Sequence, residues 1–236
     1  MNYNKFIVFI LFLIFLTLNC SQDKILQRAT SDYFPLEPGW YWRYTIGNDT
    51  SMVQVISDTF AYGHYCVLTN RDFLEEYWIK EKNEIKKLFE KKINRAGSDF
   101  ILEQHYRLYF ELPLILGNSW SEDFCDTIDV LGESIIFQHQ IKGSVEAIDS
   151  ISTPAGDFSD VYKMMLVQNF QQNDSVKSET SYYWLAPDIG VVKKIENDVE
   201  QILIEFSSIG STNNSGYSKS ALPPITEEKQ PKETQN

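Results

Sequence analysis

One phrase of this sequence occurs twice, and it constrains the fold more than any other feature. Pro35-Leu36-x-x-Gly39-x-x-Trp42 returns as Pro113-Leu114-x-x-Gly117-x-x-Trp120, with four identities at an offset of 78 residues. A second echo follows each copy: Tyr77-Trp78 with Lys86-Lys87, and then Tyr183-Trp184 with Lys193-Lys194. We therefore predict one domain, residues 33–208, built from two related copies of a β-meander, residues 33–110 and 111–208.

Strand patterns support a mainly β, antiparallel fold made of hairpins. Aromatic residues make up 14% of the chain, which favours strands over helices. Ile135, Phe137, His139 and Ile141 alternate with polar residues, so we expect them to face the core. Ile202, Ile204 and Phe206 alternate in the same way, and we expect the same of them.

One segment fits two kinds of element. In Glu84–Ile93, the residues Ile85, Leu88 and Phe89 also match one face of a helix. We predict a strand, because the counterpart Val191–Ile195 is short and follows the turn sequence Ala186-Pro187-Asp188-Ile189-Gly190.

The N-terminus carries the pattern of an export signal. The apolar run Phe6–Leu18 has 13 residues, which suits the hydrophobic region of a signal peptide and is shorter than the roughly 20 residues of a membrane-spanning helix. We predict that residues 1–19 are a cleaved signal peptide. Residues 20–32 then form a short tether, and the polar residues 209–236 a disordered tail.

The end of this signal resembles the lipobox of bacterial lipoproteins, in Leu16-Thr17-Leu18-Asn19-Cys20. The resemblance implies cleavage before Cys20 and a lipid-modified thiol at the new N-terminus, so that a triacylated Cys20, with acyl chains such as palmitate, anchors the protein in a membrane. Thr17 and Asn19 depart from the family's Leu and small residue, so an ordinary signal peptide with an incidental Cys20 is the alternative. Ser21 after the cysteine is what the enteric sorting rule associates with the outer membrane. The periplasmic and surface faces both stay open.

Two turns extend the resemblance to poorly characterised bacterial envelope lipoproteins. These proteins combine a PAG-x-F turn (Pro154, Ala155, Gly156, Phe158) with a YW-x-AP-x-IG-x-VK hairpin, which matches Tyr183 to Lys193 here. The resemblance implies a lipid-anchored β domain without an established activity. By looser analogy, long antiparallel sheets of such lipoproteins curl into half-barrels like those of lipoprotein carriers.

Cys66 and Cys125 are the cysteines that remain. An exported chain meets an oxidising compartment, so the two could form a disulfide. The alternative is that each is a small buried apolar residue.

The chain lacks recognisable catalytic chemistry. A formal charge of −12 argues against nucleic acid as a partner. His64, His105 and His139 have no ligand-type spacing, so we predict no metal, and no cofactor motif occurs. The acidic pairs Glu75-Glu76 and Glu122-Asp123 should point to opposite faces of strands, and we interpret both as solvated edges.

We therefore expect a lipid-anchored protein of the cell envelope that acts by binding and is not an enzyme. An enzyme is the third and least favoured alternative, which a cleft with convergent His and carboxylate side chains would favour. The first hypothesis is a hydrophobic ligand or lipid held in an aromatic β trough. The alternative is a scaffold or assembly factor that binds an envelope protein through an exposed apolar surface. An unfilled interior cavity would favour the first hypothesis, and a packed core with an exposed apolar patch the second.

Overall fold

The computed structural model describes residues 31–208, which form twelve β-strands. The predicted signal peptide, the predicted lipidation site Cys20, most of the predicted tether and the predicted C-terminal tail lie outside the described residues. The strands are β1 (Tyr41–Ile46), β2 (Asp49–Ala61), β3 (His64–Arg71), β4 (Leu74–Lys80), β5 (Glu84–Arg95), β6 (Ser98–Glu111), β7 (Ser119–Val130), β8 (Glu133–Thr153), β9 (Gly156–Gln172), β10 (Ser175–Ala186), β11 (Gly190–Glu196) and β12 (Val199–Ser207).

All twelve strands belong to one antiparallel sheet with the order β6-β5-β4-β3-β2-β1-β12-β11-β10-β9-β8-β7. The mainly β, antiparallel prediction is confirmed, and the sheet curls beyond a half-barrel into a nearly closed barrel. Strands β1–β6 form one meander and β7–β12 another, joined through the pairing of β1 with β12. The first and last strands of the sheet, β6 and β7, approach each other at a seam.

Tight turns join many of the strands. Five connections consist of two residues that both have positive φ: Tyr62-Gly63, Asp72-Phe73, Ala96-Gly97, Leu131-Gly132 and Asn197-Asp198. This is the backbone geometry of type I′ turns, whose twist matches that of the strands they connect. Antiparallel strands alternate in direction, so every odd-numbered strand begins at the same end of the barrel. We call this the N-terminal end, because β1 begins there, and the other the opposite end.

The predicted alternation of β8 is confirmed. Ile135, Phe137, His139 and Ile141 are all buried, and the residues between them are exposed or half-buried. Glu84–Ile93 is a strand, as predicted, within β5.

The predicted face of β12 is wrong. Gln201 and Leu203 are the buried residues, whereas Ile202, Ile204 and Phe206 are half-buried on the other face. The end of the long β8–β9 hairpin covers that outer face, where Phe158 packs against Phe206 with ring centroids 6.2 Å apart. Apolar residues therefore occur on both sides of this strand.

The repeated phrase precedes the first strand of each meander. Trp42 and Trp120 are the second residues of β1 and β7, and both are buried. The two Tyr-Trp dipeptides of the second echo are not equivalent in the structure. In Tyr77-Trp78 the tryptophan lines the cavity, whereas in Tyr183-Trp184 the tyrosine does. Descent of the two halves from one unit stays a prediction.

Within residues 31–208 there is no helix that is long and apolar enough to cross a membrane.

Candidate functional site

A small cavity lies inside the barrel beneath the segment that precedes β1. Its volume is about 70 Å³. Phe34, Pro35 and Leu36 form its roof at the N-terminal end, and the aromatic walls are Trp42, Tyr44, Trp78, Tyr109, Phe110 and Tyr183. Arg71, Glu76, Lys87 and Lys194 line its floor. The cavity thus joins apolar walls to a charged floor.

The roof is held in place by the turn between β10 and β11. Asp32 and Asp188 exchange hydrogen bonds, with the Asp32 amide 2.8 Å from Asp188 Oδ1 and the Asp188 amide 2.7 Å from the Asp32 carbonyl. Lys80 donates to the Phe34 carbonyl at 3.0 Å. A Cβ atom on Gly190 would lie 3.2 Å from Pro35 Cδ, so glycine permits this close approach.

The floor is a network of paired charges contributed by both meanders. Lys87 Nζ lies 2.8 Å from Glu76 Oε1, and Lys194 Nζ lies 2.8 Å from Glu196 Oε2. Arg71 connects the two pairs, at 3.6 Å from Glu76 and 3.7 Å from Glu196. Among these described residues, three cationic side chains face two carboxylates, so the floor has a net positive charge when all five are ionised.

Buried tyrosines complete the network. The hydroxyl oxygens of Tyr109 and Tyr183 are 2.6 Å apart, and Tyr183 donates to Glu196. Tyr44 donates to the Val191 carbonyl at 2.9 Å. Burial raises the pKa of all three hydroxyl groups, so they stay protonated and act as donors at neutral pH.

Two groups of the floor have strongly shifted pKa values. Burial, together with the nearby charge of Arg71, lowers the pKa of Lys194 to about 8. Burial opposes ionisation of Glu196, but Lys194, Tyr183 and Arg71 outweigh it and lower the pKa of Glu196 to about 2. Shifts of this size occur at functional sites and in buried structural networks alike.

These shifts predict how stability depends on pH. Between about pH 8 and pH 10.5 the unfolded chain holds the Lys194 proton more tightly than the folded chain, so the free energy of unfolding should rise with pH. We expect a gain of about 1 to 2 kcal/mol up to pH 9.5, measured by urea denaturation. On the acid side, the stabilisation from Glu196 should be lost as pH falls from about 4.5 towards 2.

The variant Lys194→Met should lack the alkaline rise, whereas Lys193→Met should keep it. Lys193 is the neighbour of Lys194 on β11, but it lies over the Trp184 ring and pairs with Glu200. An equal rise in both variants would assign the effect to another group.

Two polar atoms of the floor remain without a hydrogen-bond partner among the described residues. They are Arg71 Nε and Glu76 Oε2, both inaccessible to solvent. A guanidinium N–H without an acceptor is costly when buried, unless water or a ligand accepts its hydrogen bond. The floor therefore leaves one buried donor and one buried acceptor without a hydrogen-bond partner among the described residues.

A second charged cluster closes the seam between the two meanders. Glu103 Oε1 lies 2.8 Å from Arg107 Nη1, and Glu103 Oε2 lies 2.9 Å from His139 Nδ1. Arg107 also donates to the carbonyls of Glu122, at 3.0 Å, and His139, at 3.2 Å. Side chains thus join β6 to β7 and β8 at the seam. His139 is buried, as the alternation of β8 predicts.

The residues singled out from the sequence are dispersed. Cys66 is buried in β3, Cys125 is exposed in β7, and both are free thiols in this structure. Cys20 lies outside the described range. Within residues 31–208, no group of three or more His, Cys, Asp or Glu side chains could hold a metal ion.

The solvated-edge interpretation of the acidic pairs is wrong for one member of each pair. Glu76 belongs to the cavity floor, and Glu122 binds Arg107 and the Leu108 amide at the seam. Their neighbours Glu75 and Asp123 are exposed, so the two members do point to opposite faces. The repeated Lys-Lys dipeptides were the sequence feature that could have indicated this floor, because each contributes one lysine to it.

A scan against protein-family models and a search of curated proteins find no match for this chain. Among solved structures, it is similar to a "putative lipoprotein" from Parabacteroides distasonis, with 13% identity and a TM-score of 0.45, over 75% of this chain and 99% of that one. It is also similar to a "putative exported protein with YmcC-like fold" from Bacteroides fragilis, with 12% identity and a TM-score of 0.42, over 75% of this chain and 100% of that one. Likenesses of this size assign the chain to no family.

Proposed function

We propose that this chain is a lipoprotein of the bacterial cell envelope that acts by binding and performs no catalysis. The anchor is the set of acyl chains on Cys20, and Ser21 favours the outer membrane. Two or more acyl chains hold a protein stably on a membrane, whereas one chain gives only reversible binding. The membrane is thus the first partner, and nucleic acid is excluded from the proposal by the charge of −12.

The binding site is the cavity beneath the roof, and its ligand is an amphipathic molecule with one anionic group. The observation that carries this proposal is the unpartnered Arg71 Nε in a floor with excess positive charge, directly below aromatic walls. An apolar pocket with a few convergent polar groups and shifted pKa values is the usual form of a ligand site. The anionic group pairs with Arg71 and Lys194, and the apolar body contacts Trp42, Trp78 and Phe110.

The size of the cavity sets a condition on this ligand. At about 70 Å³ it holds a small anionic head group or about two water molecules, whereas pockets for drug-sized ligands measure about 300–1,000 Å³. An acyl chain therefore has to take the place of the roof residues Phe34 and Leu36. The Asp32–Lys80 pair that holds the roof is partly exposed to water, where such pairs contribute little stability.

Native mass spectrometry of the mature chain from Ser21, exported behind a cleavable leader without lipidation, tests this proposal. We expect a stable extra mass that disappears on organic extraction. Arg71→Met and Lys194→Met should reduce the extra mass, and Lys193→Met, with its side chain outside the cavity, should retain it. A clean apo mass for the unaltered chain would contradict a tightly held ligand.

The scaffold hypothesis is the second candidate function, and the small cavity favours it. The cavity beneath the roof has little room for cargo, and large apolar side chains are exposed elsewhere. A clean apo mass would make binding of an envelope protein the leading function.

A further inference from the structure

Residues 31–36 cross the cavity as a segment outside the sheet, which we call the strap. Its residues Phe34, Pro35 and Leu36 are the roof of the cavity, and every other lining residue belongs to a strand. A strand residue is held by the ladder of backbone hydrogen bonds, so it cannot leave the cavity wall without disrupting the sheet. The strap is therefore the part of the wall that can move while the sheet stays intact.

The strap is fastened near its first residue. The Asp32 carboxylate pairs with Lys80 Nζ, which also donates to the Phe34 carbonyl at 3.0 Å. On the other side, the Asp188 amide donates to the Asp32 carbonyl at 2.7 Å, and the Asp32 amide to the Asp188 carboxylate at 2.8 Å. We call Asp32, Lys80 and Asp188 the latch. The Asp32 and Lys80 side chains are 32% and 29% exposed, so water can replace their contact.

The chain turns where the strap ends. Glu37 and Pro38 are exposed, and Gly39 has a φ of 97°, a conformation that glycine adopts without steric cost. The Gly39 amide donates to the Val55 carbonyl at 3.0 Å, so the chain is fixed to β2 from this residue onwards. Residues 37–39 can therefore serve as a hinge between the strap and the sheet.

The underside of the strap makes contacts that a hydrocarbon chain can replace. The Phe34 ring lies 5.1 Å from the Trp78 ring and 5.6 Å from the Phe110 ring, measured between centroids. Apolar burial is non-directional, so the acyl chain of a ligand can cover the same rings. Opening also separates Tyr33 from Tyr162, whose rings are 5.1 Å apart, and this contact favours the closed form when no ligand is bound.

From this arrangement we infer that the strap is a lid on the ligand site, which is released at the latch and turns at residues 37–39. This inference rests on the ligand site proposed above and deepens it, because it states how the apolar body of the ligand enters. When the strap opens, the roof leaves room for an acyl chain against Trp78 and Phe110. The charged floor belongs to strands and stays in place.

A disulfide across the latch tests the lid. The backbone hydrogen bond between Asp188 and Asp32 keeps their Cα atoms within the roughly 4.4–6.8 Å that a disulfide spans, so Asp32→Cys and Asp188→Cys should form one on oxidation. Both substitutions are made with Cys125→Ser, since Cys66 is buried. Peptide mapping verifies the disulfide. Uptake of cis-parinaric acid, a fluorescent fatty acid, by the mature chain from Ser21 without lipidation is then followed by stopped-flow fluorescence.

We expect uptake by the oxidised form to be about tenfold slower, or more, than uptake by the Cys125→Ser parent, and reduction to restore it. Equal uptake by the oxidised and reduced forms would overturn the lid and leave the ligand site standing. A lack of uptake by every form, the parent included, would instead contradict the ligand site itself.

A second pair of variants loosens the latch without a disulfide. Lys80→Met removes the bonds to Asp32 and to the Phe34 carbonyl, so uptake should become several-fold faster. Lys82→Met is the matched control, because Lys82 is exposed only two residues further along, and its uptake rate should match that of the unaltered chain. An unchanged rate in Lys80→Met would mean that the latch does not limit entry, and this result would also overturn the lid.

Discussion

Replacement of Arg107 with methionine should lower the free energy of unfolding by about 3 to 5 kcal/mol, the usual cost of removing one partner from a buried ion pair. The Arg107 side chain is completely buried, and it binds Glu103, Glu122 and the His139 carbonyl at the seam. Burial opposes ionisation of Glu103, but His139 and Arg107 lower its pKa, so the carboxylate is charged. Methionine fills similar space and leaves this carboxylate with two histidines, His139 at 2.9 Å and His105 at 3.5 Å.

The matched control is Arg43→Met. Arg43 and Glu205 are also 2.8 Å apart, but both side chains are about one third exposed. Exposed pairs contribute at most about 1 kcal/mol. Urea denaturation of the two variants compares the losses directly. Similar small losses would show that the seam does not depend on Arg107, and that apolar packing between β6 and β8 holds it closed.

The seam and the cavity show which parts of this structure the sequence could predict. The alternation in β8 was sufficient to predict which of its residues are buried, because that strand has a mainly apolar interior face and a mainly polar exterior face. β12 does not follow this pattern. Gln201 is the cross-strand partner of Lys194, and both side chains are buried on the interior face. On the exterior face, Phe206 is covered by Phe158. A strand with polar residues inside and a covered outer face has no simple period-two pattern.

The floor itself could not be assembled from sequence. Its charges come from β3, β4, β5 and β11, and the pairings that bring them together depend on the register of the whole sheet. Bulges shift that register, for example between Trp184 and Leu185. Glu76 looks like half of a solvated acidic pair until its partners Lys87 and Arg71 are known.

Gly143→Ala should lower the free energy of unfolding by about 3 kcal/mol, at the upper end of the usual cost of overpacking. Gly143 is the cross-strand partner of Trp120, and a Cβ atom there would lie 2.1 Å from Trp120 Cζ2. The indole is buried in the main core beside Leu114 and Val145, so it cannot move aside freely.

A double-mutant cycle distinguishes this overlap from a backbone effect of glycine. In a Trp120→Leu background the added methyl group no longer meets the indole, so Gly143→Ala should cost far less there. The same loss in both backgrounds would place the effect in the backbone of β8. A large coupling energy would mean that the tryptophan of the second repeated phrase requires a glycine on the facing strand. The constraint would then extend from the phrase Pro113–Trp120 to a position 23 residues further along the chain.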